Sequence, residues 1–279
     1  MKLSFSTLAC PAWTTDQAIK AARSYGYDGI EWRLVNGEIL NSSFPIDAAK
    51  RLADEVRSAG LEVSAADTGV RDVHLIAAPG AERDGVVAEA RAMLRIAGLL
   101  GAEHLRVFPG DRPKGVSVAE GAQWARETLH ALLPDAEENG VNLALELHNA
   151  TSPDSDTSTT SSQMAALILA AIPSQRVGIQ WDLGNTYLEG EDPAQTWSTI
   201  KSRLLYFHTK DLAPQPDGEP RYVEIGTGAV PITDILKWLT DDGFDGWLSY
   251  EWEKKWHPEL AEPEVALPQY VEFMRRHIG

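Results

Sequence analysis

A glycine recurs at one place in a repeating pattern, between a stretch with helical apolar spacing and a short β-rich run: YGYDGIEWR, AGLEVSAAD, LGAEHLRVF, NGVNLALELH and DGFDGWLSYE. Each reads as a helix closing at Gly26, Gly60, Gly101, Gly140 or Gly243, where a left-handed cap suits a residue without Cβ, followed by a buried strand. Three further runs, LSFSTLA near the start, RVGIQWDLG from Arg176 and RLLYFHTKD from Arg203, bring the strands to eight. Helical spacing falls between them at 14–25, 45–59, 83–100, 117–139, 160–171, 193–202, 231–242 and 263–277. Eight β–α alternations predict an α/β fold, a (β/α)8 barrel of the TIM type, as one domain over residues 1–279. An open doubly wound sheet has no glycine-rich dinucleotide loop to support it, and GTGAV at 226–230 reads as a turn. The biased run NATSPDSDTSTTSSQ after the fifth strand reads as a mobile loop whose final cluster, at Ser161 or Ser162, caps the next helix.

The charge balance excludes whole classes of partner. Lys and Arg total 25 against 41 Asp and Glu, a net charge of -16, which argues against nucleic acid and against an anionic membrane surface. No segment reaches the roughly 18 uninterrupted apolar residues of a membrane span, and residues 1–12 lack a basic leader and cleavage site. The one cysteine, Cys10, excludes an intrachain disulfide and fits a reducing, cytoplasmic compartment; it reads as a small strand-end residue. A small-molecule substrate is the expected partner, and assembly into a homo-oligomer is left open.

In a barrel of this kind the active site is built at the C-terminal ends of the strands. Strand five ends in Glu146 and His148, two apart and therefore on one face. Strand six ends in Asp182, strand seven in His208 and strand eight in Glu251. Four successive strands thus deliver Glu, Asp, His and Glu to one rim. Three carboxylates and one imidazole suit a divalent ion such as Mn²⁺, Mg²⁺ or Co²⁺ better than a structural zinc, with manganese the first choice.

Taken in order, ALELH, WDLGN, FHTKD and YEWE resemble the xylose-isomerase-like sugar isomerase/epimerase superfamily, which includes ketose 3-epimerases, hydroxypyruvate isomerase and inosose dehydratase. The resemblance covers nearly the whole chain. It implies that Glu146, Asp182, His208 and Glu251 are the metal ligands and that Glu146 and Glu251 are also the catalytic acid/base pair. The DNA-repair endonucleases of this fold carry a His three residues beyond the strand-six Asp and a carboxylate two residues before the strand-seven His. Here those places hold Asn185 and Tyr206, which removes the nuclease reading. Ketose epimerases also have a His that holds substrate at the place of Asn185. The run HTKD followed by GTG, with EWEKKWHPE, looks more like the inosose-dehydratase and keto-sugar branch.

A divalent ion between two carboxylates suits proton transfer at a carbon next to a carbonyl, because charge developing on the enediolate meets a fixed cation. One carboxylate removes the proton and the other returns one, giving isomerisation or epimerisation. A leaving group on the next carbon turns the same first step into β-elimination, so a lyase is the alternative reading. A barrel that binds sugar without turnover is a third, disfavoured by the intact ligand set. Substrate contacts are expected from His148, Lys210, Arg106 and Asn185, and from His74, Trp13 and His257 in loops on the same side. Lys210 alternatively pairs with Asp211, and Arg106 with Asp67 or Glu31; those two acids are weaker candidates for sugar hydroxyls. Among the nine tryptophans, Trp13, Trp32, Trp252 and Trp256 fall near the rim and offer faces for sugar stacking. With no compact Lys/Arg run for a phosphate, an unphosphorylated substrate is expected.

Overall fold

The structure, a computed structural model, describes residues 1–69, 72–148, 155–156, 158–215 and 220–278. All eight expected strands are present: β1 (Lys2–Phe5), β2 (Gly29–Trp32), β3 (Glu62–Asp67), β4 (Ala102–Val107), β5 (Asn142–Glu146), β6 (Val177–Asp182), β7 (Leu204–Thr209) and β8 (Trp247–Tyr250). They form one sheet in the order β1-β8-β7-β6-β5-β4-β3-β2, its neighbours parallel throughout. The two ends of the sheet meet at a seam. There Leu3 N–H donates to the Asp28 carboxylate at 2.8 Å, Asp28 N–H donates to the Leu3 carbonyl at 2.8 Å, and Ser6 bridges Glu31 in parallel. A side chain replaces part of the missing ladder and nearly closes the barrel.

The surrounding helices are α1 (Thr15–Tyr25), α2 (Ile46–Ser58), α3 (Ala81–Leu100), α4 (Val118–Asn139), α5 (Ser161–Leu169), α6 (Leu183–Leu188), α7 (Pro193–Ile200), α8 (Ile232–Asp241) and α9 (Pro263–Ile278). Their faces follow the apolar spacing: α2 buries Ala49, Leu52, Ala53 and Val56, one stripe of a 3.6-residue period. The start of α1 is fixed by Thr14, whose hydroxyl accepts from Gln17 N–H while the Gln17 side chain accepts from Thr14 N–H. All five expected cap glycines are left-handed, with φ of 88°, 74°, 74°, 69° and 71° at Gly26, Gly60, Gly101, Gly140 and Gly243. Among the described residues no helix is long and apolar enough to cross a membrane.

The structure corrects the sequence reading in several places. The N-cap of α5 is Thr160 rather than Ser161 or Ser162, whose N–H groups instead donate to Glu189 and Glu191. Helix α6 was not expected; it begins because the Asp182 side chain accepts from Asn185 N–H at 2.8 Å and caps it. A hairpin pairs Leu34–Val35 with Glu38–Ile39 across Asn36 and Gly37, both left-handed at φ 52° and 80°. A second hairpin pairs Asp211–Ala213 with Arg221–Val223. Trp32 and Trp252 lie in the core, 0% and 3% exposed, and offer no open face for a sugar. Much of the Ser/Thr-rich run, at 149–154 and 157, lies outside the described residues.

The barrel interior is filled in layers. At the floor Trp247, Tyr206, Ala65 and Ala144 pack together, and Gly29 is required there because a Cβ would lie 2.7 Å from the Trp247 ring. His104, one inward step below Arg106 on β4, stacks on Tyr206 with ring centroids 4.9 Å apart. Asn142 Nδ2 lies 3.4 Å from its Nδ1, and Nε2 is buried without a hydrogen bond. Burial pushes the pKa of His104 down to about 4, against the pull of Glu103. The unfolded chain therefore binds this proton first, so the stability contributed by neutral His104 is complete above its ordinary pKa and is lost as pH falls through the folded value. The wild type is expected to lose about 3 kcal/mol more than His104→Phe between pH 7 and pH 4. Urea unfolding at both pH values checks this, and parallel losses in the two proteins would remove His104 as the cause.

Candidate metal centre

The alternation of the last four strands gathers the expected ligands over this floor. Glu146 ends β5, Asp182 ends β6, His208 stands one residue from the end of β7, and Glu251 follows β8 directly. One ligand atom from each lies within 4.8 Å of the others. All four side chains are buried, at 2%, 0%, 0% and 3% exposure. Glu146 Oε2, Asp182 Oδ2 and His208 Nδ1 make no aligned hydrogen bond, their contacts being ion pairs with Arg106 at 3.3 Å, Lys210 at 2.9 Å and Glu251 at 3.0 Å. Buried polar atoms are rarely left in that state, and three converging ones fit a divalent cation as the missing partner.

The orientation of His208 comes from behind it. Its Nε2 lies 2.5 Å from Glu31 Oε1, so Nε2–H donates there and Nδ1 faces the other candidate ligands. Burial opposes a charge on His208, yet Glu251 and Glu31 raise its pKa well above the ordinary histidine value, so a metal entering this centre displaces a proton. Glu31 is itself buried, but the charge of His208 and its hydrogen bond hold its pKa below the usual value. Burial pushes Asp67 well above the carboxylate range despite Arg106, and the Glu31 charge adds to the rise. Glu31 and Asp67, both 0% exposed, are thus behind the ligand set rather than open to sugar hydroxyls. Glu31→Gln is expected to weaken Mn²⁺ binding about tenfold. Calorimetric titration of Mn²⁺ checks this, and an unchanged affinity would leave Glu31 with no part in orienting His208.

Two cations reach into the centre. Lys210 Nζ lies 2.9 Å from Asp182 Oδ2, 2.6 Å from Glu251 Oε2 and 2.7 Å from Glu253 Oε1. Its first contact is an ion pair without hydrogen-bond alignment, which is why Asp182 Oδ2 stays unsatisfied. Gly184 makes room for its stem, since a Cβ there would lie 3.0 Å from Lys210 Cβ and Cδ. Arg106 donates through Nη1 to Glu251 at 2.7 Å, and its Nε lies 3.3 Å from Glu146 and 3.6 Å from Asp67. Of the two alternatives expected for Arg106, the structure shows the ion pairing, with Asp67 among its partners. The two carboxylates diverge in consequence. Burial and Glu251 raise the pKa of Glu146 despite Arg106, whereas His208, Lys210 and Arg106 overcome burial and hold Glu251 well below the usual value.

Residues 19–277 match the family described as xylose isomerase-like TIM barrel. The chain belongs to this family. Over 242 residues it is 26% identical to a putative hydroxypyruvate isomerase of Streptomyces coelicolor, a match covering 84% of this chain and 83% of that protein. It is 25% identical over 162 residues to an inosose dehydratase of Lacticaseibacillus casei, covering 52% of each chain. Its fold superposes on the crystal structure of the IOLI protein with a bound zinc atom at a TM-score of 0.79 and 18% identity, over 100% of this chain and 98% of that one.

The other residues expected at the mouth of this xylose isomerase-like barrel are placed differently from one another. Asn185 is buried and donates from Nδ2 to Glu146 Oε1 at 3.1 Å and to the Leu147 carbonyl at 3.2 Å, so it holds a ligand in place. His148 meets Phe108 edge-on at 5.2 Å and lines a cavity of about 380 Å³ with Ile76, Arg112, Asp156, Met164 and Glu189. His74 lies outside that cavity's lining, its Nε2 3.2 Å from Glu82. His257 packs edge-on against Tyr222 at 5.0 Å, and Tyr222 in turn faces Lys210 at 5.9 Å. Trp13 packs partly buried against the core beside Cys10 and Trp32. The roles of Glu31, Glu253 and Gly184 were missed, although the E-x-R, E-x-E and D-x-G spacings at strand ends carry the signal.

Proposed function

We propose that the chain is a divalent-metal-dependent enzyme, an isomerase or epimerase that transfers a proton at the carbon next to the carbonyl of a keto-sugar. The observation that carries this reading is the convergence of three unsatisfied buried ligand atoms between two carboxylates of opposite pKa tendency. Three carboxylates and an imidazole favour manganese, with magnesium or cobalt next. When bound, such an ion polarises a carbonyl and neutralises charge developing on its oxygen. Glu251, kept ionised by Lys210 and Arg106, removes the C–H proton. Glu146, which burial keeps protonable and Asn185 holds by its other oxygen, returns a proton to the opposite face or the adjacent carbon.

His148 supports a second reading, a carbon–oxygen lyase, because it stands at the wall of the 380 Å³ cavity on the same strand end as Glu146. There it is suited to protonate a departing oxygen after the same first step, the outcome named for the inosose dehydratase relative. Incubating the Mn²⁺-loaded protein in D₂O with ketoses, inososes and 3-keto-glycosides, followed by mass spectrometry, separates the readings. Deuterium in a sugar of otherwise conserved mass supports the isomerase. Loss of water or of an aglycone supports the lyase, and no exchange with any substrate rejects both.

A further inference from the structure

Arg33 follows β2 directly and stands two residues on from Glu31, which returns it to the inward side of the barrel mouth. Its backbone is fixed: the N–H donates to Thr7 Oγ1 at 3.0 Å and the carbonyl accepts from Leu40 N–H at 3.0 Å. The residue is only 8% exposed, yet its Nη1 has no hydrogen-bond partner. Among the described residues no carboxylate forms an ion pair with it; Asp67, Asp72 and Glu251 act on its charge only from farther off, and Arg106 opposes it. A buried guanidinium with an unsatisfied Nη1 and no paired carboxylate among the described residues is costly and suits an anion from outside the chain.

The position of Arg33 states what that anion is attached to. The four candidate ligands come from β5 to β8, and Arg33 comes from the facing half of the barrel. A substrate held by its carbonyl end on the ligand side would extend its other end towards β2, where Arg33 stands. A guanidinium edge pairs best with a planar carboxylate. The nearby acids Asp72 and Glu251 favour a single negative charge over a phosphate dianion. Building on the proposed function, we infer that Arg33 recognises a carboxylate on the substrate, which makes the substrate a keto-sugar acid rather than a neutral ketose.

The test compares D-fructuronate, D-fructose and D-fructose 6-phosphate by calorimetry on the Mn²⁺-loaded protein, in the wild type and in Arg33→Met. D-fructuronate is expected to bind roughly tenfold or more tighter than D-fructose, charge-assisted pairing being the only difference at that end. Arg33→Met is expected to abolish the difference, keep Mn²⁺ affinity, and raise the Tm of the ligand-free protein by removing an unpaired buried charge. Equal binding of the acid and the neutral sugar, or no binding of either, overturns the inference. So does tighter binding of the phosphate, or an Arg33→Met protein that keeps the preference or melts lower. If the wild type fails to bind Mn²⁺, the proposed function falls instead, and Arg33 is judged by the same comparison in metal-free protein.

Discussion

Glu251→Gln is expected to lower the rate of deuterium exchange into substrate by about a thousandfold, within the range of losses when a positioned base is removed. The substitution keeps size and shape while removing the charge that three groups face: Arg106 Nη1 at 2.7 Å, Lys210 Nζ at 2.6 Å and His208 Nδ1 at 3.0 Å. Metal affinity falls as well, so exchange is measured at saturating Mn²⁺, and the remaining deficit reports the missing base. Glu146→Gln provides the contrast. If Glu251 removes the proton and Glu146 returns one, Glu146→Gln retains exchange through Glu251 while losing net conversion to the isomer or epimer. Full exchange in Glu251→Gln at saturating metal would end its assignment as the base. Exchange lost in Glu146→Gln and kept in Glu251→Gln would reverse the two roles.

The asymmetry behind that prediction is not legible in the sequence. Both glutamates occupy equivalent places, and periodicity puts each at a strand end facing the mouth. Only the fold shows that Glu251 collects Arg106 from β4 and Lys210 from β7 while Glu146 is left with one distant guanidinium contact at 3.3 Å. The gathering of the four candidate ligands was legible because strands convert spacing directly into direction: residues two apart share a face, and the helix-capping glycines mark where each strand begins. Contacts across the barrel mouth depend instead on how long side chains bend after the strand has ended. Spacing therefore offered Lys210 and Glu31 only as candidates for substrate contact and did not single out Arg33. The Asn36–Gly37 hairpin was legible and was missed, since Asn-Gly between apolar residues is a strong local turn signal. Trp32 alternates with Glu31 and Arg33, so the same rule that points those two inward sends the indole outward into the helix layer.

Arg106→Leu is expected to destabilise the metal-free protein by roughly 3–5 kcal/mol, the effect of breaking a buried charge network from one side. The guanidinium stands between Asp67, Glu146 and Glu251, and its Nη2 also donates to the Thr68 carbonyl at 3.2 Å while Thr68 Oγ1 donates back to the Arg106 carbonyl at 2.8 Å. Leucine fills similar volume and leaves those carboxylates facing one another in a buried site. Losing the guanidinium raises their folded-state pKa values, so the penalty grows with pH and shrinks as pH falls towards the ordinary carboxylate range. Mn²⁺ supplies positive charge to Glu146 and Glu251, so saturating metal narrows the gap between variant and wild type. Urea unfolding in EDTA and in Mn²⁺, at pH 7 and pH 5, measures all three effects. A variant as stable as the wild type in EDTA at pH 7 would mean that the carboxylates take up protons at little cost, and that Arg106 faces the substrate rather than sustaining the metal-free centre. The opposite result, with rescue by Mn²⁺ and by acid, would identify Arg106 as the charge that keeps the ligand set assembled until the ion arrives.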